Sequence, residues 1–289
     1  MLEHEDSAYY ALVEDAANHI DPEHLVTFGM NLGYNSCTWG AQRIRTNEAQ
    51  LGFNIPWTVL FLMEEPHCSR HLPQYDRAVS EGEELGIYSW ILLSHGNFLE
   101  LLPLIERHPD SAFFLFCRPE DISPAVLDET TPLRHLMLVV RWGDQADEAC
   151  AMLRNARLPY SVYYPYSPDD LPFIRSGDLF CDTQQLHPLF TALAAKPDCP
   201  AEIQRQAHQA AEELRNGQNY KTVPWELCYD TRSLDEIISD DACCVLFDGQ
   251  GQLIALDNPG CAPFGCLFEE GLPSLIRRAY PTAPPASSL

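Results

Sequence analysis

Short apolar runs alternate along this chain with stretches whose hydrophobic positions recur at helical spacing. The first twenty residues read as an acidic amphipathic helix through Tyr9, Leu12, Val13 and Ala16, ended by Asp21-Pro22. Apolar runs then begin near Leu25, Trp57, Gly86, Ser111, Leu133 and Tyr160. A strand with a returning helix needs about the length between those starts, because parallel strands require a crossover of roughly a dozen residues or more. The runs are rich in β-branched and aromatic residues and alternate poorly, as strands covered on both faces do. The segments Leu72–Leu85, Phe98–Arg107 and Asp144–Asn155 read as helices, with Asp144 as a cap for the last. Six βα units follow, in a partial barrel or a doubly wound sheet. Either arrangement gathers ligands beyond the C-terminal strand ends. That singles out the loops starting near Asn31, Glu64, Ser94, Arg118, Gly143 and Ser167.

The pattern changes after Ser167. Thr183–Ala195 and Ala201–Asn216 read as helices, with Gly217 as the C-cap of the second. Cys243–Phe247 and Gln252–Leu256 flank Asp248-Gly249-Gln250-Gly251, a hairpin signal. A loop rich in Gly, Pro and Cys leads to a short helix over Glu269–Tyr280. The expected organisation is an N-terminal helix (1–21), a barrel (22–182), a helical connector (183–223), a small C-terminal module (224–281) and a disordered tail (282–289).

Composition narrows the function. Of 289 residues, 46% are hydrophobic and 21% charged, which suits a globular core. Lys and Arg number 18 against 42 Asp and Glu, a net charge of -24. Such a surface repels phosphate backbones and anionic lipid, so neither nucleic acid nor membrane is an expected partner, while a peptide or protein is. No apolar run reaches membrane-spanning length, and the first residues lack a basic signal region. The eleven cysteines are therefore read as mostly free thiols in a cytoplasmic protein. Phosphate-loop, dinucleotide, zinc-helix and serine-elbow motifs are absent from the sequence.

The run Leu60–Met63 continues into Glu64-Glu65-Pro66, then a helix, then a run ending Ser94-His95-Gly96. This order resembles the core of the radical S-adenosylmethionine (radical SAM) family. There the second strand ends in Gly-Gly-Glu-Pro and the third in a Thr-Asn-Gly-like turn. Glu65, Pro66 and Gly96 match, and the resemblance covers Leu25 to Tyr166. It implies a partial (β/α)6 TIM-like barrel. The residues after Phe247 are similar to a reduced form of the SPASM/twitch-like extension that many peptide-modifying members carry. This is the C-terminal β-hairpin plus helix module.

The departures point away from the family's usual cofactor. That family holds an iron–sulfur cluster through Cys-x3-Cys-x2-Cys after its first strand. The matching segment Asn31–Gln42 has Cys37 alone, and one thiolate cannot hold a cluster that needs several. Met63 and Glu64 replace the glycine pair. The resemblance thus implies a degenerate relative without cofactor, a peptide-binding or scaffold partner of a modifying enzyme. Its pocket at the barrel mouth would be lined by Tyr34, Trp39, Glu65, His95, Arg118, Arg141 and Tyr164. The alternative is a working peptide-modifying metalloenzyme. Its possible metal ligands are Cys37, Cys68, Cys228, Cys261 and Cys266, holding an iron–sulfur cluster with S-adenosylmethionine, or zinc at the C-terminal cysteines among them. Mixed Cys and His sets at strand ends suit soft metals.

Overall fold

A computed structural model describes residues 5–64, 67–96, 98–239, 242–255 and 262–282. The elements are α1 (Ala8–His19), α2 (Pro22–Gly29), a π-helix (Met30–Gly40), α3 (Ala41–Leu51), β1 (Thr58–Glu64), α4 (His67–Leu85), β2 (Ser89–His95), α5 (Phe98–Glu106) and β3 (Ala112–Cys117). Then come α6 (Pro124–Thr130), β4 (Leu136–Arg141), α7 (Ala146–Asn155), β5 (Tyr160–Tyr166), α8 (Leu171–Arg175), α9 (Asp178–Thr183), β6 (Phe190–Ala195) and α10 (Ala201–Gly217). The chain closes with β7 (Val223–Glu226), α11 (Leu227–Ile238), β8 (Val245–Phe247), β9 (Leu253–Ala255) and α12 (Leu272–Ala279).

Two compact units divide the chain: residues 1–26 with 116–230, and residues 27–115 with 231–289. In the first, strands β4 to β7 lie in sequential order, and each neighbouring pair is parallel. A core of Tyr166, Ile174, Leu179, Phe180 and Leu193 packs against the Ala207 and Ala211 face of α10. In the second unit β3, β2 and β1 neighbour in that order, and the far side of β1 carries β8 and then β9. Phe61 of β1 is fully buried, stacked on Trp90 and in contact with Tyr75 and Phe247.

Five of the six expected runs are strands, β1 to β5; the first is not. Leu25–Met30 belongs to α2 and the π-helix. The reason is local: Asp21 Oδ1 accepts the N–H groups of Glu23 (2.9 Å) and His24 (3.3 Å), and Pro22 takes the first helical position. Asp21-Pro22 thus starts a second helix as well as stopping the first. Four further expectations are corrected. Phe190–Ala195, expected as helix, is β6, paired along Val162–Tyr166. Its Thr191 hydroxyl bonds those of Thr183 (2.9 Å) and Thr222 (3.0 Å), which only an extended chain brings into line. Val223–Glu226 adds β7 inside the expected connector and module boundary. Helix α7 starts after Gln145 in a left-handed conformation rather than at an Asp144 cap, and the left-handed C-cap of α10 is Gln218, with Gly217 the last helical residue. The expected hairpin is present as antiparallel β8 and β9. The expected disordered tail falls mostly on residues 283–289, which lie outside the described residues.

One carboxylate sets where β1 and β8 begin. Asp235, fully buried on α11, accepts the N–H groups of Trp57 (2.8 Å) and Cys243. The Trp57 indole donates to the Thr231 carbonyl at 3.0 Å. Burial pushes the Asp235 carboxyl up to about 7, against the two N–H bonds that pull it down. The unfolded value is near 3.9, so the folded state binds the extra proton between about pH 4 and 7. This contribution to stability is full below about pH 4 and is lost as pH rises through about 7. Urea unfolding should therefore show stability falling across that window by at most about 1.4 kcal/mol per pH unit from this group. Asp235→Asn should flatten the profile; an unchanged slope in the variant would contradict the assignment.

Candidate functional site

The C-terminal end of β1 gathers the most chemistry in the second unit. Helix α4 follows it directly. Pro73 lies inside that helix, and His71 just before it leaves helical geometry (φ -114, ψ 16). His71 lies flat on Phe268, ring centroids 3.8 Å apart, and Tyr75 meets the same ring edge-on at 5.6 Å. Cys68 and Tyr75 are fully buried, and Cys266 nearly so. Cys266 Sγ donates to the Gln250 carbonyl at 3.5 Å. The Tyr75 phenol is pushed well above its ordinary value, first by burial and then by the negative fields of Cys68, Asp248, Cys266 and Glu64. Among the described residues its hydroxyl has no hydrogen-bond partner, nor do the buried His71 Nδ1 and Gln74 Oε1. Three unpartnered polar atoms on two turns of one helix make an uncommon concentration, since buried polar groups are ordinarily satisfied.

The C-terminal module closes over this end. A side chain at Gly249 would put Cβ 2.5 Å from Glu64 Oε2, so only glycine permits the turn. Gly251 is left-handed (φ 75), and a Cβ there would meet the Phe268 ring at 2.8 Å. Arg77 donates to the Leu267 and Glu270 carbonyls, and Glu81 accepts the Leu272 N–H at 2.7 Å.

The expected site residues do not converge. The π-helix is tied to the opposite ends of the strands. Asn31 donates to the Pro109 and Ser111 carbonyls ahead of β3, and Trp39 packs on Tyr88 (5.2 Å) just before β2. Trp39 also lies under Arg43, and Tyr34 is 53% exposed. Burial of its thiol pushes Cys37 up. Tyr34, Cys37 and Trp39 are thus removed from Cys68 and Cys266, because the segment expected as a strand is helical. Glu65 and Cys261 lie outside the described residues, and His95 ends β2.

The other four residues belong to the first unit. Arg118 pairs with its near neighbours Glu120 (3.3 Å) and Asp121 (3.4 Å). Arg141 is exposed at the end of β4. Tyr164 donates to Asp170 at 2.7 Å within the turn after β5, and burial with that carboxylate pushes its phenol up to about 12. Cys228 opens α11. Near these strand ends sits a group the sequence reading missed: Glu226, fully buried at the end of β7. It accepts from the Tyr166 hydroxyl (2.9 Å) and the Tyr229 N–H (2.7 Å), and burial pushes it up to about 7. No group of three potential ligands arranged to hold a metal occurs among the described residues, and the ten cysteines described are free.

No protein-family profile and no curated protein matches the sequence. Solved structures do match. SuiB of Streptococcus suis bound to S-adenosylmethionine aligns over 82% of this chain at 9% identity, with a TM-score of 0.56. SuiB bound to its precursor peptide SuiA aligns over 81% at 9% identity and a TM-score of 0.54. Both are radical SAM enzymes. The chain has the radical SAM fold. It is the α/β partial barrel, and it spans 66% of the first SuiB chain.

That fold implies an iron–sulfur cluster and S-adenosylmethionine, and the residues present do not fit the pair. Consecutive strands of such a barrel are neighbours, so the cluster-bearing first strand of the family runs beside the strand ending in Gly-Gly-Glu-Pro. Here β1 is that second strand, and β8 of the C-terminal module holds the place beside it. The π-helix that carries Cys37 is tied to the far ends of the strands, and the Gly249 turn abuts Glu64.

Two conservative substitutions separate the groups described. Tyr166→Phe leaves Glu226 short of a donor and should cost about 1–3 kcal/mol. Tyr75→Phe removes a hydroxyl that has no partner among the described residues and should leave stability unchanged or raise it by about 1 kcal/mol. Urea midpoints with equal slopes check both; equal losses would sink the distinction.

Proposed function

We propose that this chain is a radical SAM-fold protein without the family's cofactor. It acts as a peptide- or protein-binding scaffold that partners a modifying enzyme. The observation that carries the reading is the parallel pairing of Val59–Phe61 with Val245–Phe247. A strand from the C-terminal module fills the position that a cluster-bearing strand requires, and the segment matching the cluster loop is a π-helix with one thiol. Support for a peptide partner comes from the precursor peptide held by the SuiB structure and from the acidic surface, which favours neutral or basic partners. No described helix is long and apolar enough to cross a membrane.

A second reading has its own observation. Buried Cys68 and Cys266 both act on the Tyr75 phenol, so thiols do approach one strand end. With Cys261 they offer donors for zinc or a remnant cluster in a working peptide-modifying enzyme.

Anaerobic purification with iron, sulfide and zinc analysis, followed by calorimetric titration with S-adenosylmethionine, tests the choice. A colourless protein that takes up no iron after reconstitution and binds no S-adenosylmethionine is expected. Stoichiometric iron and sulfide lost on Cys37→Ala would overturn the scaffold reading. Zinc lost on Cys266→Ser would favour the second.

A further inference from the structure

The first unit carries a cleft that the proposed function does not use. It has a volume of about 230 Å³ and lies along α1, lined by Leu12, Glu14, Asp15, Asn18, His187 and Lys221. It adjoins the N-terminal ends of the strands: Tyr160 opens β5, Leu189 precedes β6, and both line the narrow recess that also contains Asp15 and His187. Ligands of this architecture gather at the opposite ends.

The charges in the cleft run against the chain's composition. Asp15 is held below the usual carboxylate range, chiefly by the Arg154 fork at 2.8 and 2.6 Å. His19 Nδ1 lies 3.1 Å and His187 Nδ1 3.7 Å from the same carboxylate. The Lys221 charge also acts on His187, against its protonation. With Asp15 neutralised by Arg154, the charges that line the space among the described residues are Lys221 and Glu14, joined by the His187 imidazole, while His19 lines the adjoining recess. His187 is held in the left-handed region (φ 56, ψ 39), a conformation that costs a non-glycine residue about 1 kcal/mol or more. Such strain persists where the surroundings require it and clusters at binding sites.

We propose that this cleft binds a small anion, its carboxylate or phosphate oxygens received by Lys221, His187 and the Asn18 amide over the apolar floor of Leu12. Burial and the Arg154 charge hold His187 below its ordinary value, so the imidazole is mostly neutral at pH 7. An arriving anion favours the protonated ring. Binding therefore takes up a proton and strengthens as pH falls. Arg154, Lys221 and His19 oppose that protonation, while Asp15 and Glu14 favour it.

The experiment follows the imidazole signals of His187 and His19 by NMR on the full chain. Inorganic phosphate and acetate are titrated separately at constant ionic strength set by sodium chloride. A saturable shift of His187 with either anion is expected, at least threefold tighter at pH 6 than at pH 7.5. Which anion binds more tightly identifies the phosphate or the carboxylate source. Lys221→Ala, at an exposed position, should weaken binding about tenfold without changing the melting temperature. His187→Gln should remove the pH dependence. Shifts that fail to saturate, that chloride reproduces, or that survive Lys221→Ala unchanged would overturn the proposal. None of these outcomes depends on the scaffold reading.

Discussion

The Asp235 carboxylate accepts backbone N–H groups from Trp57, the residue leading into β1, and from Cys243, two residues ahead of β8. One side chain thereby fixes the starting points of two parallel strands that are far apart in sequence. Parallel pairing of β8 with β1 has no tight turn to set its register, so a tether at the strand origins supplies it. The tether sits in a second layer of buried polar contacts. Glu48 accepts the Ile55 N–H at 2.8 Å and the Ser239 hydroxyl, tying α3 to the end of α11. Burial of two carboxylates this close is expensive. It is tolerated because backbone donors that would otherwise be orphaned are satisfied by them.

From that register the far end of β1 follows. With Val59 opposite Val245 and Phe61 opposite Phe247, the turn after β8 arrives level with Glu64. Gly249 then lets the chain pass against the carboxylate, and Gly251 lets it pass over Phe268. Phe268 stacks on His71, whose place is set by the Pro73 kink. The closure at the end of β1 is thus a consequence of sheet register and two glycines. It does not depend on a special interaction at the closure itself. The same geometry disposes of an edge that β1 would otherwise expose, which is a general requirement of sheets.

The barrel strands were legible because each of β1 to β5 is a dense apolar run bounded by turn residues. The hairpin was legible from its Asp-Gly-Gln-Gly turn. Two kinds of feature were not. Phe190–Ala195 is half alanine, a composition that favours helix, and only pairing along β5 makes it a strand. Asp21-Pro22 carries a stop and a start signal at once, and reading only the stop turned α2 into an apparent strand. The site residues failed for a different reason. Tyr75 occupies an apolar helix position, and Glu226 lies between Trp225 and Leu227, so local sequence marks neither. Their chemistry comes from partners tens to hundreds of residues away, which no spacing rule reaches.

The two buried polar groups at strand ends differ in a way that bears on function. Both Glu226 oxygens are engaged: Tyr166 donates to one, and the Tyr229 N–H at the start of α11 donates to the other. The Glu226 N–H in turn donates to Asp230, which Arg215 holds in a two-bond fork at 2.8 Å. Every member has a partner, so this network closes a helix start and leaves no capacity for a ligand. The end of β1 is the reverse case. Tyr75 Oη, His71 Nδ1 and Gln74 Oε1 are buried and find no donor or acceptor among the described residues. Burial without partners costs free energy that packing alone does not return. A fold keeps such groups where something outside the chain completes them, whether ordered water or a polar group of a bound peptide. Among the described residues the end of β1 is therefore the strand end with polar capacity to spare, and the carboxylate of β7 is the engaged one.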